Sequence, residues 1–138
     1  MRAKPDHFYR QSGVVAYDWD DGELQVLLIT SSSGKRWVIP KGIVEPGLTP
    51  LESALKEAHE EAGISGKGLT ESLGHYQYQK WGGVCDVTVF PLEVDTVLAD
   101  WPEAAVRRRE WFSPAGAADN VREPALQQIL RDLATSLS

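Results

Sequence analysis

The chain is poor in cysteine and histidine and has no long apolar run, and each shortage removes a class of protein. A single cysteine, Cys85, in 138 residues excludes an internal disulfide framework. It stands in an apolar strand pattern, where a thiol behaves as a small buried hydrophobe rather than a nucleophile. The three histidines, His7, His59 and His75, have no partners in the sequence that would build a histidine–carboxylate zinc site. No stretch is apolar over the length of a membrane span, and the first residues lack a secretory pattern. The expectation is a cytoplasmic protein with no membrane partner. A formal net charge of −6 argues against binding along extended nucleic acid, but leaves room for a small anion in a locally basic pocket. What remains is an ordinary globular composition, 42% hydrophobic and 25% charged, expected to form one domain over 1–138 as a monomer or homodimer.

The informative stretch is Gly42–Ile64, GIVEPGLTPLESALKEAHEEAGI. Thr49 is a natural N-cap, Pro50 suits the first helical position, and Glu52 completes a T-x-x-E capping box. Leu51, Leu55, Ala58 and Ala62 recur at helical spacing and predict an inward stripe. Gly63 fits the left-handed position that ends a helix. The spacing puts Glu57 beside both Glu60 and Glu61. Like charges 4 Å apart repel by about 4 kcal/mol at an effective dielectric of 20. A divalent cation would turn that cost into a binding site, and oxygen-only ligands favour Mg²⁺ or Mn²⁺ over zinc. Without a cation, such a run is a solvated acidic face.

Elsewhere, Val14–Tyr17 and Val26–Thr30 read as strands joined by a turn at Asp20–Gly22, and Trp37–Ile39 as a short strand leading into a Pro40–Gly47 loop. Gly66 and Gly68 punctuate the connection after the helix. Leu73–Gln79 and Val84–Glu93 form a predicted hairpin across Trp81-Gly82-Gly83. Asp95–Ala105 reads as irregular, Glu110–Phe112 as a strand, and Ala125–Leu137 as an amphipathic helix. Strands flanked by two separated helices suggest an α/β fold with a mixed sheet between helical layers.

The Gly42–Ile64 stretch resembles the Nudix box, G-x5-E-x7-R-E-U-x-E-E-x-G-U with U aliphatic. Gly42, Glu57, Ala58, Glu60, Glu61, Gly63 and Ile64 match, while Leu48 replaces the first box Glu and Lys56 the box Arg. Beyond the box, Ser31–Ser33, Arg36–Gly42 (RWVIPKG) and Arg107–Phe112 (RRREWF) are similar to the diphosphoinositol and diadenosine polyphosphate phosphohydrolase branch of the Nudix hydrolases. The resemblance implies an α/β/α sandwich and Mg²⁺-dependent hydrolysis of a phosphoanhydride, with Mn²⁺ as an alternative ion. It implies Glu57, Glu61 and Glu60 as metal ligands with the Lys41 carbonyl, and Glu60, or else Glu57, as the base. The favoured substrate is a diadenosine polyphosphate or an inositol pyrophosphate. Nucleoside triphosphates, ADP-ribose, 5′-triphosphorylated RNA and a degenerate nucleotide-binding or regulatory domain stay open.

The two departures fall on one device, the Glu–Arg pair that orients the catalytic carboxylates in the family. Leu48 cannot accept a hydrogen bond, so Lys56 is expected to lack an acidic partner across the loop and to reach only Glu52 or Glu60 on its own helix. Candidate phosphate partners are Arg10, Ser31, Ser32, Ser33, Arg36, Lys41, Arg107 and Arg122. If Arg107–Arg109 is extended, alternation puts Arg107 and Arg109 on one face and leaves Arg108 at the surface. Lys80 reads as a turn residue, Trp37, Trp111 and Phe112 as core, and Trp81 and Trp101 as loop indoles that either stack on a base or anchor the loop.

Overall fold

A computed structural model describes residues 8–138; His7 lies outside them. Two long strands carry the architecture. β1 (Phe8–Asp20) and β7 (Gly83–Val97) run parallel, registered from Phe8↔Val84 to Tyr17↔Glu93. β2 (Glu23–Thr30) turns back on the far end of β1, while β4 (Lys41–Ile43) takes up the pairing of β1 at Gln11–Gly13. β3 (Trp37–Val38) and β8 (Arg109–Phe112) pair with β2, and β5 (Ile64–Gly68) and β6 (Gly74–Lys80) pair with β7. The result is a mixed sheet of eight strands.

Alternation along the strands sorts the core into two layers. Val14, Ala16, Leu27, Ile29, Phe90, Leu92 and Val94 pack against Ala54, Ala58 and Ala62 of α1 (Pro50–Ala62). Val15, Tyr17, Val26, Leu28, Val87 and Val89 pack on the other face, under α2 (Pro114–Asn120), α3 (Pro124–Arg131) and α4 (Leu133–Leu137). This is the expected α/β/α sandwich. The two tight hairpins hold both central residues at positive φ, Asp21-Gly22 and Trp81-Gly82, as the twist of the strands requires.

Several boundaries differ from the sequence reading: β1 begins at Phe8 rather than Val14, and β4 lies inside the segment read as a Pro40–Gly47 loop. Gly66 and Gly68 do not mark a loop: they lie in strand β5, where Gly66 lets the backbone press against the Glu93 carbonyl. β7 extends to Val97, well into the segment read as irregular. α2 follows an unrecognised Ser113 cap whose hydroxyl accepts the Gly116 N–H at 3.0 Å. The closing helix is broken at Asp132 into α3 and α4.

Candidate active site

The box helix is built as its sequence dictates. The Thr49 hydroxyl accepts the Glu52 N–H at 3.1 Å, Glu52 accepts the Thr49 N–H at 2.8 Å, and Gly63 closes the helix at φ 66°. Leu51 and Leu55 flank the buried Ala54–Ala58–Ala62 stripe, so Glu57 and Glu61 emerge at the edge of the core. β4 runs beside them. The Lys41 amide donates to Glu61 Oε1 at 3.1 Å, and Gly42 lies so close to Glu57 that a side chain there would overlap its carboxylate.

These groups form one wall of a cleft of about 220 Å³. Glu57, Glu61, Gly42 and Arg107 share it with Gln11, Ser31, Ser32, Arg36, Lys41, Tyr78, Lys80 and Trp81. Glu57 is pushed up to about 7, by partial burial first, then by the charges of Glu61 and Glu60 and a hydrogen bond shared with Glu61. Burial also raises Glu61, against the pull of Arg107 and of the Lys41 amide and ammonium. Lys41 is lowered, chiefly by burial, and its ammonium sits 5.0 Å from the centre of the Tyr78 ring. A larger hollow of about 510 Å³ between Leu69–Leu73, Pro91 and Leu137 holds no cation and one carboxylate, Glu71, and offers no comparable chemistry.

Some sequence candidates converge on the cleft and others do not. Lys41, Ser31, Ser32 and Arg36 line it. Ser33 is set back, its hydroxyl 3.1 Å from that of Ser31. Arg107 lines the cleft but is already engaged: it meets Glu61 at 3.5 Å and Glu103 at 2.7 Å, and donates to the Thr30 carbonyl at 2.9 Å. It acts on the carboxylates themselves. Arg10 lies away from the cleft, beside Val44–Leu48, and Arg122 is exposed, 3.9 Å from Glu123. Glu60 is not among the lining residues and turns to Lys56, 3.6 Å away. Arg107 and Arg109 share a face, and Arg108 lies on the other, over Trp37. His59 is exposed, and His75 has a partner that the sequence did not reveal, Asp86 at 3.1 Å.

The expectation for Lys56 is overturned. Its ammonium lies 2.7 Å from Glu45 Oε2, across the loop. A turn closed by the Leu48 N–H to the Glu45 carbonyl, with Gly47 at φ 87°, swings Glu45 back over the helix. The buried Ser53 hydroxyl accepts the Glu45 N–H at 3.0 Å and fixes it there. The pairing that Leu48 cannot make is thus supplied by Glu45, and this contact is the main cause of the raised Lys56 pKa. Glu45 and Glu52 are the only acids between Gly42 and Lys56, a signal the sequence did contain.

Gln11, Tyr78 and Glu103 were also missed. The Tyr78 hydroxyl donates to Gln11 Oε1 at 2.8 Å, and both residues line the cleft. Glu103, in the loop after β7, holds Arg107 and adds its charge to Glu57 and Glu61.

Among the described residues, no three acidic, imidazole or thiol side chains converge to enclose a metal. Two carboxylates one helical turn apart on a single cleft still suit Mg²⁺. That ion keeps several waters and is commonly held by one or two carboxylates together with substrate phosphates.

Carboxylates and cationic side chains thus share one cleft at the edge of an α/β/α sandwich. The NUDIX domain model matches residues 9–133, and the chain belongs to this family. It is 36% identical over 115 residues to the mitochondrial Nudix hydrolase 16 of Arabidopsis thaliana, covering 78% of this chain and 63% of that protein. With the chloroplastic Nudix hydrolase 21 of that plant it shares 37% over 129 residues, covering 88% and 65%. With diphosphoinositol polyphosphate phosphohydrolase 3-alpha of Mus musculus it shares 35% over 111 residues, covering 78% and 66%. The alignments thus span a little under two thirds of the length of these relatives. Among solved structures, the C. elegans Ap4A hydrolase superposes with a TM-score of 0.70 at 21% identity, covering 96% of this chain and all of that one. The NUDIX domain of Shewanella oneidensis NrtR, complexed with ADP ribose, reaches 0.73 at 15% identity, covering 100% and 91%. At such identities the likeness is one of fold. Nudix enzymes generally use divalent metals, and no described helix is long and apolar enough to cross a membrane.

Proposed function

We propose that the protein hydrolyses a phosphoanhydride bond in a small, densely charged polyphosphate, a diadenosine polyphosphate or an inositol pyrophosphate, with Mg²⁺. One observation carries this reading: Glu57 and Glu61, both pushed toward protonation, line a single cleft together with Lys41, Arg36 and Lys80. Glu57 and Glu61 would hold the cation, which when bound neutralises charge on the diphosphate. Lys41 and Arg36 bind the phosphate oxygens, and Arg36 is held in place by Glu123, 3.6 Å from one of its terminal nitrogens. The Ser31 and Ser32 hydroxyls add donors on the same wall.

In the proposed reaction, water forms the new O–P bond, the anhydride P–O bond breaks, and a carboxylate takes the water proton. Glu57, which lines the cleft, is one candidate base, and Glu60, outside its lining and 3.6 Å from Lys56, is the other. Lys56 and Glu45 orient the helix face that carries them. The support for the polyphosphate class is the likeness to a diphosphoinositol polyphosphate phosphohydrolase together with the cationic wall.

The test is a panel of pyrophosphate compounds with Mg²⁺, products separated by ion exchange. Diadenosine polyphosphates or inositol pyrophosphates should show the highest kcat/KM. A clear preference for ADP-ribose or nucleoside triphosphates would overturn the class, and no turnover of any compound would leave a binding domain.

A further inference from the structure

The last turn of α1 ends in backbone carbonyls that the helix itself cannot satisfy. One strap of chain, residues 98–109, meets four of them in succession. The Glu103 amide donates to the Glu60 carbonyl at 3.1 Å and the Trp101 indole N–H to that of Glu61 at 2.9 Å. An Arg109 guanidinium N–H donates to the Ala62 carbonyl at 2.7 Å, and the Leu98 amide to that of Gly63 at 2.8 Å. Two of these donors are side chains that brace each other, the Arg109 guanidinium lying 3.9 Å from the centre of the Trp101 ring. Gly63 leaves the space for this: a Cβ there would stand 2.7 Å from Trp101 Cβ and 2.8 Å from Arg109.

Water could satisfy the same carbonyls, so what an indole and a guanidinium add is position. The strap also holds the other end of Glu61. Arg107 lies 3.5 Å from its carboxylate and is itself held by Glu103 and by the Thr30 carbonyl. Glu61 is therefore gripped at its carbonyl by Trp101 and at its carboxylate by Arg107, and Glu57 stands one turn earlier on the same helix and lines the same cleft. The Lys56–Glu45 pair, by contrast, is solvent-exposed and screened.

We infer that Trp101, braced by Arg109, is a positioning residue for Glu57 and Glu61: its indole N–H fixes the last turn of the helix and with it the geometry of the two carboxylates. The inference rests on reading Glu57 and Glu61 as cation ligands and adds the device that sets their geometry.

The test uses Mn²⁺ as a paramagnetic probe, titrated into wild type and Trp101→Phe without substrate, with kcat and KM measured in parallel. Phenylalanine keeps a ring under Arg109 and removes the N–H. Mn²⁺ affinity and kcat should each fall about tenfold, with KM and the circular dichroism spectrum unchanged. Leu130→Val, in the core on the opposite face of the sheet, is the control: it should lower Tm without changing Mn²⁺ affinity. The inference is overturned if Trp101→Phe binds Mn²⁺ within about twofold of wild type, or if Leu130→Val weakens Mn²⁺ as much. Should Trp101→Phe not fold, Arg109→Lys decides. It keeps the charge but loses the planar stack and the fork, so the same weakening supports the inference and unchanged affinity overturns it. Wild type that binds no Mn²⁺ would instead remove the cation reading, and this inference with it.

Discussion

Replacing Gly42 with alanine should separate activity from stability. A Cβ at this position would stand 2.8 Å from Glu57 Cγ and nearer still to the carboxylate. Carbon atoms pack comfortably at about 3.5–4.0 Å, so the Glu57 side chain must withdraw by roughly 1 Å. The backbone tolerates the change: Gly42 is a β4 residue paired with Ser12 and is not among the positive-φ glycines. The group that moves is the far end of a flexible side chain, and an off-rotamer torsion costs only about 1 kcal/mol. For a domain of this size, that is a Tm loss of roughly 3–6 °C. At the reacting end, the same displacement of about 1 Å is worth on the order of 100-fold in kcat. Steady-state kinetics at saturating Mg²⁺ and a thermal melt measure both. A Gly42→Ala enzyme with kcat within about threefold of wild type would refute the reasoning, because it would mean that Glu57 reacts equally well from a withdrawn position.

Metal-free protein should become less stable as pH rises from about 4.5 to 7. Folded Glu57 holds its proton up to about 7 whereas the unfolded residue releases it near 4.5, so the folded state binds more protons across that window. Allowing for partial exposure, the loss is about 1–2 kcal/mol in urea titrations with EDTA, and a slope that persists in Glu57→Gln would exclude Glu57 as its source. Glu45→Gln should lower kcat several-fold, while Leu48→Glu should leave it near wild type because Lys56 is already paired; a gain from Leu48→Glu would show that Glu45 is an inadequate substitute. Lys41→Met should raise KM for the best substrate by about tenfold or more through loss of a charge-assisted phosphate contact, and an unchanged KM would place the phosphates elsewhere.

The box helix was legible because its signals are local. A cap, a stripe and a terminal glycine all lie within Thr49–Gly63, and each acts on its own neighbours. The two-layer sandwich was legible from the alternation of helical and strand periods, and more firmly from the family pattern. β5 was not: Ile64–Gly68 has the composition of a turn, and it is a strand only because β7 passes beside it. The site divides in the same way. Glu57 and Glu61 follow from helical spacing, whereas the commitment of Arg107 to Glu61 and Glu103 depends on where a loop after β7 comes to rest. Arg10 and Arg122 looked equivalent to Arg36 as bases in a sequence, and only the fold separates them. Glu45 is hidden by the spacing of the family pattern: the acidic position falls on Leu48, while the turn beside it returns a carboxylate to the same lysine.

The parallel pairing of β1 with β7 also sets an order of events during synthesis. Gln11, on the floor of the cleft, lies in a strand whose ladder partners extend to Glu93. Ribosomes add about 5–20 residues per second, so β1 leaves the exit tunnel seconds before β7 exists and has only its pairings with β2 and β4 to occupy it. The box helix can form in that interval from its own cap and stripe, but the strap that finishes its last turn lies beyond β7 and emerges later still. The acidic face is therefore made first, in water, and meets Arg107 and the completed sheet last. A nascent chain stalled before β7 should be protease-sensitive throughout, and one extended past Phe112 should gain protection in β1 and α1 together.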